Sequence, residues 1–150
     1  MTGIELTSAA FGDHATIPRR YSGEGDDVSP PLTWSGVPDG TQELVLLCED
    51  PDAPSGTFLH WLVTGIAPES SGVAEGVGPP GGREWPNGFG RVGWGGPMPP
   101  PGHGAHRYVF RLFAVSEPLP LHGRVSSDSV HRALEGRTLD DGTLVGTYQR

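Results

Sequence analysis

The sequence predicts an all-β fold, an antiparallel β-sandwich with one or two short helices. Its apolar residues gather in short runs bounded by glycine and proline, as strands separated by turns do. Only one stretch has the spacing of an amphipathic helix, and strands do not alternate with helices, which argues against a parallel sheet. The 150 residues suffice for one hydrophobic core, so we expect a single domain over residues 1–150.

The first two thirds of the chain contain two predicted strands and much turn-forming sequence. Residues 1–40 alternate short apolar pieces with turn residues. The apolar runs at residues 44–48 and 58–66 predict two strands, the first of them buried. Residues 72–104 are rich in glycine and proline, and so long a loop in a compact domain is usually functional or disordered. Its large apolar side chains favour an ordered, packed loop: Trp85, Phe89, Trp94 and Met98.

Residues 106–115 give the clearest strand prediction. Side chains alternate between the two faces of a strand, so His106 and Tyr108 share one face at its start. Arg107 lies on the other face, where we expect it to brace a loop or a carboxylate rather than to contact a ligand.

The end of the chain contains the clearest predicted helix and a last strand. Residues 127–136 carry an apolar stripe, with Asp128 as the expected cap and Gly136 as the expected end. Residues 144–148 predict a short final strand.

Charge and composition narrow the classes of partner. The net charge of −8 opposes binding to nucleic acid or to anionic membrane surfaces through bulk electrostatics. No run reaches the roughly 18 apolar residues of a membrane span, and the first residues lack the pattern of a secretory signal. Cys48 is the only cysteine, so no internal disulfide can form. We expect a cytoplasmic protein in which Cys48 is a buried small hydrophobe.

Three segments place polar groups beside apolar strands. The first is Asp50-Pro51-Asp52-Ala53-Pro54, the second is His60 within a strand, and the third is the glycine- and proline-rich stretch 95–102, followed by His106 and Tyr108. Taken singly, each has a plain structural interpretation: a rigid turn with solvated aspartates, a core histidine, and a rigid surface loop. His103 is interpreted as a surface histidine.

Taken together, the segments resemble the phosphatidylethanolamine-binding protein family, which includes the Raf kinase inhibitor protein. The resemblance runs over nearly the whole chain and is strongest to the short bacterial branch. It is carried by seven ordered motifs: Tyr21-Ser22-Gly23-Glu24-Gly25, Val28-Ser29-Pro30-Pro31-Leu32-Thr33-Trp34, Asp50-Pro51-Asp52-Ala53-Pro54, His60-Trp61, Asn87-Gly88-Phe89-Gly90, Gly96-Pro97 with Pro99-Pro100, and His106-Arg107-Tyr108.

This resemblance implies a sandwich of the phosphatidylethanolamine-binding type with a small pocket at one end. The pocket would take a phosphate-like anion or a zwitterion, such as a phospholipid head group, without a cofactor. Relatives also suggest a role as regulator or inhibitor of a partner protein, a homodimer, and a cis proline in the loops. By motif, the pocket positions are Asp50, Asp52, His60, Gly96, Pro97, His106 and Tyr108.

Two residues depart from the pattern of bacterial relatives. Trp94 stands where tyrosine is common, and Met98 stands where cysteine is common. Trp94 has an indole N–H but no phenolic hydroxyl, so we expect both residues to reshape the pocket rim and alter the choice of ligand.

Aspartates beside an anion need an explanation, because an ionised carboxylate repels phosphate strongly at low dielectric. Two arrangements stay open. Asp50 hydrogen-bonds a histidine and raises its pKa, so that the imidazolium binds the anion, or an aspartate faces the ammonium group of a zwitterion.

Two other functions compete with ligand binding. Asp50 and His60 could act as general acid and base in an isomerase, cyclase or hydrolase, although no nucleophile motif accompanies them, and we favour a protein that is not an enzyme. Asp50, Asp52, His60 and His106 are also chemically adequate zinc ligands, but their spacing is not a metal motif, and we expect no metal.

Overall fold

The structure of the protein, a computed structural model, describes residues 3–150. Within that range the chain forms nine strands, one α-helix and a short 3-10 helix at Arg19–Tyr21. The strands are β1 (Glu5–Thr7), β2 (Ala15–Thr16), β3 (Leu32–Ser35), β4 (Glu43–Asp50), β5 (Phe58–Ile66), β6 (Gly72–Val73), β7 (Arg83–Glu84), β8 (His106–Val115) and β9 (Thr138–Tyr148), and the helix α1 is Ser127–Leu134.

The strands make two sheets. A small sheet has the order β1-β3-β6, and a larger one has the order β2-β9-β8-β4-β5-β7. The antiparallel expectation needs one correction, because β2 pairs with β9 in parallel, with Ala15 opposite Gly146. The two strands are joined through most of the chain rather than by a hairpin, so their directions are not constrained to oppose.

Both sheets contribute to one hydrophobic core. Leu6 and Trp34 of the small sheet belong to the same buried cluster as Leu46, Phe110 and other residues of the large sheet. The opposite face of the large sheet is covered by α1, in a second cluster that includes Val45, Leu47, Phe113, Val130 and Leu134.

The long strands follow the prediction closely. The strands predicted at residues 58–66 and 106–115 are confirmed with the same bounds. The two others are longer than predicted, since β4 runs on through Asp50 and β9 starts at Thr138. In β9 most of the added residues are polar or glycine, but Asp141 pairs with Phe113 of β8, and this ladder extends the strand beyond its predicted apolar part.

The shortest strands carried no usable pattern. Strands β1, β2, β3, β6 and β7 have two to four residues each, too few for alternation to be read. Two of them, β6 and β7, lie in the long glycine- and proline-rich segment. This segment is packed at Trp85, as expected, because only 3% of the surface of Trp85 is exposed. Phe89 and Met98 are only partly packed, because about two fifths of each residue is exposed.

The helix begins at Ser127, as predicted, but its N-cap lies two residues before the expected one. Ser126, not Asp128, is the N-cap: its hydroxyl accepts the Ser129 N–H at 3.1 Å. The Ser129 hydroxyl in turn accepts the Ser126 N–H at 2.9 Å, which completes a reciprocal capping box.

Two further expectations concern the backbone as a whole. Every peptide bond that the structure describes is trans, so the expected cis proline is not found in residues 3–150. Over the same residues, no helix has the length and apolar character needed to cross a bilayer. Cys48 is fully buried, as predicted.

Candidate functional site

The strand register gathers three of the predicted site residues at one end of the large sheet. Strand β4 ends at Asp50, and its antiparallel neighbours β8 and β5 begin at His106 and Phe58. In an antiparallel pair the end of one strand lies beside the start of the next. Asp50, His60 and His106, which are far apart in sequence, are therefore neighbours in space.

Asp50 and His106 form a buried hydrogen-bonded pair. The ring Nδ1 lies 2.6 Å from the Asp50 Oδ2, and the two side chains are only 5% (Asp50) and 3% (His106) exposed. Because a carboxylate oxygen accepts, Nδ1 must carry the proton. The other Asp50 oxygen accepts the Asp52 N–H at 2.8 Å, which fixes the carboxylate in the turn. His106 therefore presents only its Nε2 to any further partner.

That partner is His103, a residue interpreted from the sequence as lying free on the surface. His103 is exposed, yet its Nδ1 lies 2.6 Å from the His106 Nε2. The two rings meet nearly edge to face, with centroids 4.9 Å apart. One signal could have pointed to it: His103 and His106 are three residues apart in a glycine turn that leads into β8.

His60 reaches the site through an irregularity in β5. Cys48 pairs with Trp61 and Glu49 with Leu59, so His60 is an extra residue in the ladder, a β-bulge. Its Nδ1 donates to the Gly95 carbonyl at 2.6 Å, and its ring edge meets Tyr108 at a centroid distance of 5.1 Å. Burial lowers the pKa of His60, so the ring is neutral at pH 7 and its Nε2 is a hydrogen-bond acceptor.

Tyr108 completes the polar group on the inner face of β8, the face that packs in the core shared by the two sheets. It is 1% exposed and lies on the same strand face as His106, as predicted. Burial, and secondly the Asp50 carboxylate, raise the pKa of Tyr108 far above its usual value. Its hydroxyl therefore stays protonated and can act as a donor at any physiological pH.

Asp52 is directed away from the histidines. Its carboxylate accepts from Arg107 three times: from Nη2 at 2.8 Å, Nε at 3.0 Å and the backbone N–H at 2.8 Å. The hydrogen bonds from the Arg107 side chain hold the pKa of Asp52 at about 2. Arg107 thus braces a carboxylate, as predicted from its position on the outer face of β8.

The Gly96-Pro97 loop is docked on another part of the chain. The Gly96 N–H donates to Asp27 Oδ1 at 2.8 Å, and the Pro97 carbonyl accepts the Gly23 N–H at 3.0 Å. A Cβ at Gly96 would lie 2.2 Å from the Tyr21 carbonyl oxygen, so only glycine fits. The Gly96 N–H is thus already hydrogen-bonded to Asp27 and is not available to a ligand. The loop contacts the site through the neighbouring Gly95 carbonyl, which accepts a hydrogen bond from His60.

The two predicted rim residues have separate environments. Trp94 stacks on Phe110 and packs edge to face on Trp61, while its indole N–H donates to the Tyr21 carbonyl at 3.1 Å. Trp94 is therefore partly a core residue whose one donor is already used. Met98 packs against Gly23, where a Cβ would lie 2.3 Å from its Cγ.

The site is closed rather than open, and it is not arranged for a metal. Asp50 and His60 are buried, and a cleft of about 520 Å³ beside Asn87 and Arg124 is lined by other residues. Because Asp52 binds Arg107, the four suggested zinc ligands do not converge. Residues 3–150 contain no group of three or more histidine, cysteine or acidic side chains suited to a metal ion.

Comparison with known proteins identifies the family to which this chain belongs. The family model of the phosphatidylethanolamine-binding proteins matches residues 7–149, so the chain belongs to the phosphatidylethanolamine-binding protein family. The family resemblance seen in the sequence is thereby confirmed. A UPF0098 protein of Methanothermobacter thermautotrophicus is 41% identical over 152 residues, which cover 98% of this chain and 99% of the relative.

Solved structures of the same family have the same fold. A phosphatidylethanolamine-binding protein homologue of Chlamydia trachomatis, CT736, matches with a TM-score of 0.89 at 34% identity, over 100% of this chain and 99% of the other. Escherichia coli YbcL, described as a new member of the mammalian family, matches with a TM-score of 0.91 at 28% identity, over 99% of both chains.

Proposed function

We propose that the group formed by Asp50, His60, His106 and Tyr108 binds a small anionic or zwitterionic ligand of the phosphate or phospholipid head-group type. One observation carries the proposal: the buried hydrogen bond of 2.6 Å between Asp50 and His106. It holds the imidazole in one orientation, with Nε2 directed away from the carboxylate. In its protonated form that nitrogen donates a charge-assisted hydrogen bond to an anionic oxygen.

The surrounding groups favour a ligand that has a donor of its own. Tyr108 offers a hydroxyl donor, whereas the neutral His60 offers an acceptor at Nε2. A fully ionised anion would leave that acceptor unmatched, at a cost in free energy. A protonated phosphate, or a phosphate ester with a neighbouring ammonium group, supplies both an anionic oxygen and a donor. Asp50 would reinforce the preference for such a ligand over a plain dianion.

Calorimetric titration with inorganic phosphate and with phosphoethanolamine tests the proposal. We expect His106→Ala to weaken binding by about 1.5–3 kcal/mol, the range for a hydrogen bond to a charged group. His122→Ala is the matched control, because His122 is exposed and lines a cleft beside Arg132 on α1 instead. Equal affinity of wild type and His106→Ala for both ligands would refute the proposal.

A second candidate function rests on the continuous line from Asp50 through His106 to His103. A carboxylate that orients an imidazole, with a further group on the other nitrogen, is an arrangement used in general acid–base chemistry. The pair would be Asp50 and His106 rather than Asp50 and His60. Turnover of a small molecule that is lost in Asp50→Asn while binding survives would favour this function over simple binding.

We also propose an architecture for the whole domain, an oligomeric state and a cellular location. The shared buried cluster supports two sheets that pack as the layers of a β-sandwich, in one domain over residues 1–150. A regulatory protein partner, a homodimer and a cytoplasmic location are further proposals that derive from family resemblance and from the lone cysteine. Size-exclusion chromatography with light scattering tests the dimer, and fractionation of the source cells tests the location.

A further inference from the structure

His103 occupies the position on His106 that an anionic ligand would need. The Nδ1 of His106 is committed to Asp50, so Nε2 is the one ring nitrogen left for a ligand. The His103 Nδ1 lies 2.6 Å from it, at hydrogen-bond distance. An oxygen of a bound anion could not be placed on that nitrogen while His103 stays there.

The segment that carries His103 can move without disturbing the core. His103 is exposed, and Gly102 and Gly104 on either side of it have φ values of 75° and 90°, with nothing within 4 Å of a Cβ built on them. Two backbone hydrogen bonds hold the turn, from the His103 N–H to the Pro100 carbonyl at 3.2 Å and from the Gly102 N–H to the Arg150 carbonyl at 3.1 Å. In contrast, His106 is buried within β8. Of the two imidazoles, His103 is the one that can leave.

We propose that His103 is a specificity-determining residue, an internal competitor that holds the anion position of His106 and is displaced when a ligand binds. This inference rests on the proposed anion-binding function. An anionic oxygen makes a stronger hydrogen bond to a protonated imidazole than a neutral nitrogen does. Anionic ligands therefore replace His103, whereas neutral ligands of similar size compete with it poorly. The residue thus selects for charge by making every ligand compete with it for His106.

The affinity of His103→Ala for phosphate distinguishes this role from a direct ligand contact. Removal of one competing hydrogen bond should tighten binding of inorganic phosphate about fivefold, as measured by calorimetry. His122→Ala, which removes an exposed histidine elsewhere, should leave the affinity unchanged. Unchanged or weaker binding in His103→Ala would overturn the inference, since His103 would then be a bystander or a ligand contact.

Imidazole ¹⁵N spectra provide a readout that does not depend on affinity. Without ligand, we expect the His103→Ala substitution to shift the His106 Nε2 resonance, whereas His122→Ala should not. In wild type, saturating phosphate should shift the His103 Nδ1 resonance toward that of an exposed histidine such as His122. A His103 resonance that phosphate leaves in place would overturn the inference.

The two proposals fail in different ways. If His106→Ala loses phosphate binding but His103→Ala behaves as wild type, the site remains and the competitor role is refuted. If wild type binds neither phosphate nor phosphoethanolamine, the proposed function fails and the inference that rests on it fails too. Tighter binding in His103→Ala, together with weaker binding in His106→Ala, supports both.

Discussion

Two consecutive residues at the end of β4 each pair with a histidine, but on opposite faces of the large sheet. Asp50 meets His106 at 2.6 Å on the inner face, and Glu49 meets His131 of α1 at 2.9 Å on the outer face. The inner pair is 5% and 3% exposed, whereas Glu49 is 9% and His131 is 41% exposed. The chemistry is the same, but the surroundings differ.

The two pairs therefore differ in what they do for the folded state. The inner pair carries a desolvation cost, whereas the outer pair connects the helix to the sheet. Burying a carboxylate and an imidazole carries a large desolvation penalty, which pairing at best offsets. Apolar residues of similar size at Asp50 and His106 would avoid this penalty, so stability alone does not explain the pair. The outer pair lies at the edge of a cleft of about 260 Å³ and connects α1 to the sheet. Because the cleft is open to solvent, water can hydrogen-bond either group when its partner is removed.

The largest expected effect is the loss of stability in Asp50→Ala. The change leaves the buried His106 without its partner, and breaking a buried pair typically costs about 3 kcal/mol or more. Glu49→Ala, one residue earlier, should cost only about 1 kcal/mol because His131 is partly solvated. Urea unfolding at pH 7 measures both variants. Equal losses would show that the two faces do not differ in this way.

A third carboxylate near the same strand end should give an effect similar to that of Glu49. Asp52 is 30% exposed and binds Arg107, so Asp52→Asn should cost roughly 1 kcal/mol at pH 7 after allowance for solvent screening. The pKa of Asp52 lies at about 2, below its ordinary value of 3.8. Its contribution is therefore present above about pH 4 and is lost as the pH falls through about 2. A stability difference between wild type and Asp52→Asn that persists undiminished below pH 2 contradicts this.

The smallest effect concerns the pH dependence of the outer pair. The hydrogen bond to Glu49 raises the pKa of His131 from 6.5. Burial works to raise the pKa of Glu49, but the bond from His131 and nearby positive charge outweigh it and lower the pKa from 4.5. The stabilisation from His131 is complete below the unfolded pKa of the histidine and is lost as the pH rises through its folded pKa. The stabilisation from Glu49 is complete above the unfolded pKa of the carboxyl group and is lost as the pH falls through its folded pKa.

The pair is therefore strongest between about pH 4.5 and 6.5. His131→Ala should lose less than about 1 kcal/mol near pH 5.5, and less still near pH 8.5. His122→Ala serves as the control for a general effect of removing an exposed histidine. A larger loss for His131→Ala at pH 8.5 than at pH 5.5 would reverse the expected sign.

Prediction from the sequence worked where a residue's role depends on its own strand. The bounds of β5 and β8 and the shared face of His106 and Tyr108 followed from apolar runs and alternation, which local geometry imposes. Family resemblance then indicated that Asp50 and His60 lie near them. Prediction failed for two-residue strands such as β7, whose existence depends on a neighbour to pair with.

Sequence patterns and family resemblance were enough to predict the family, the strand-rich fold and most of the residues that meet at the end of β4. How these residues meet depends on the packing of the whole chain. The bulge that brings His60 onto the inner face depends on the register of β5 against β4, and register depends on the whole sheet. The pairing of Asp50 with His106, and the position of His103 upon it, likewise depend on contacts between distant segments, which no local pattern encodes.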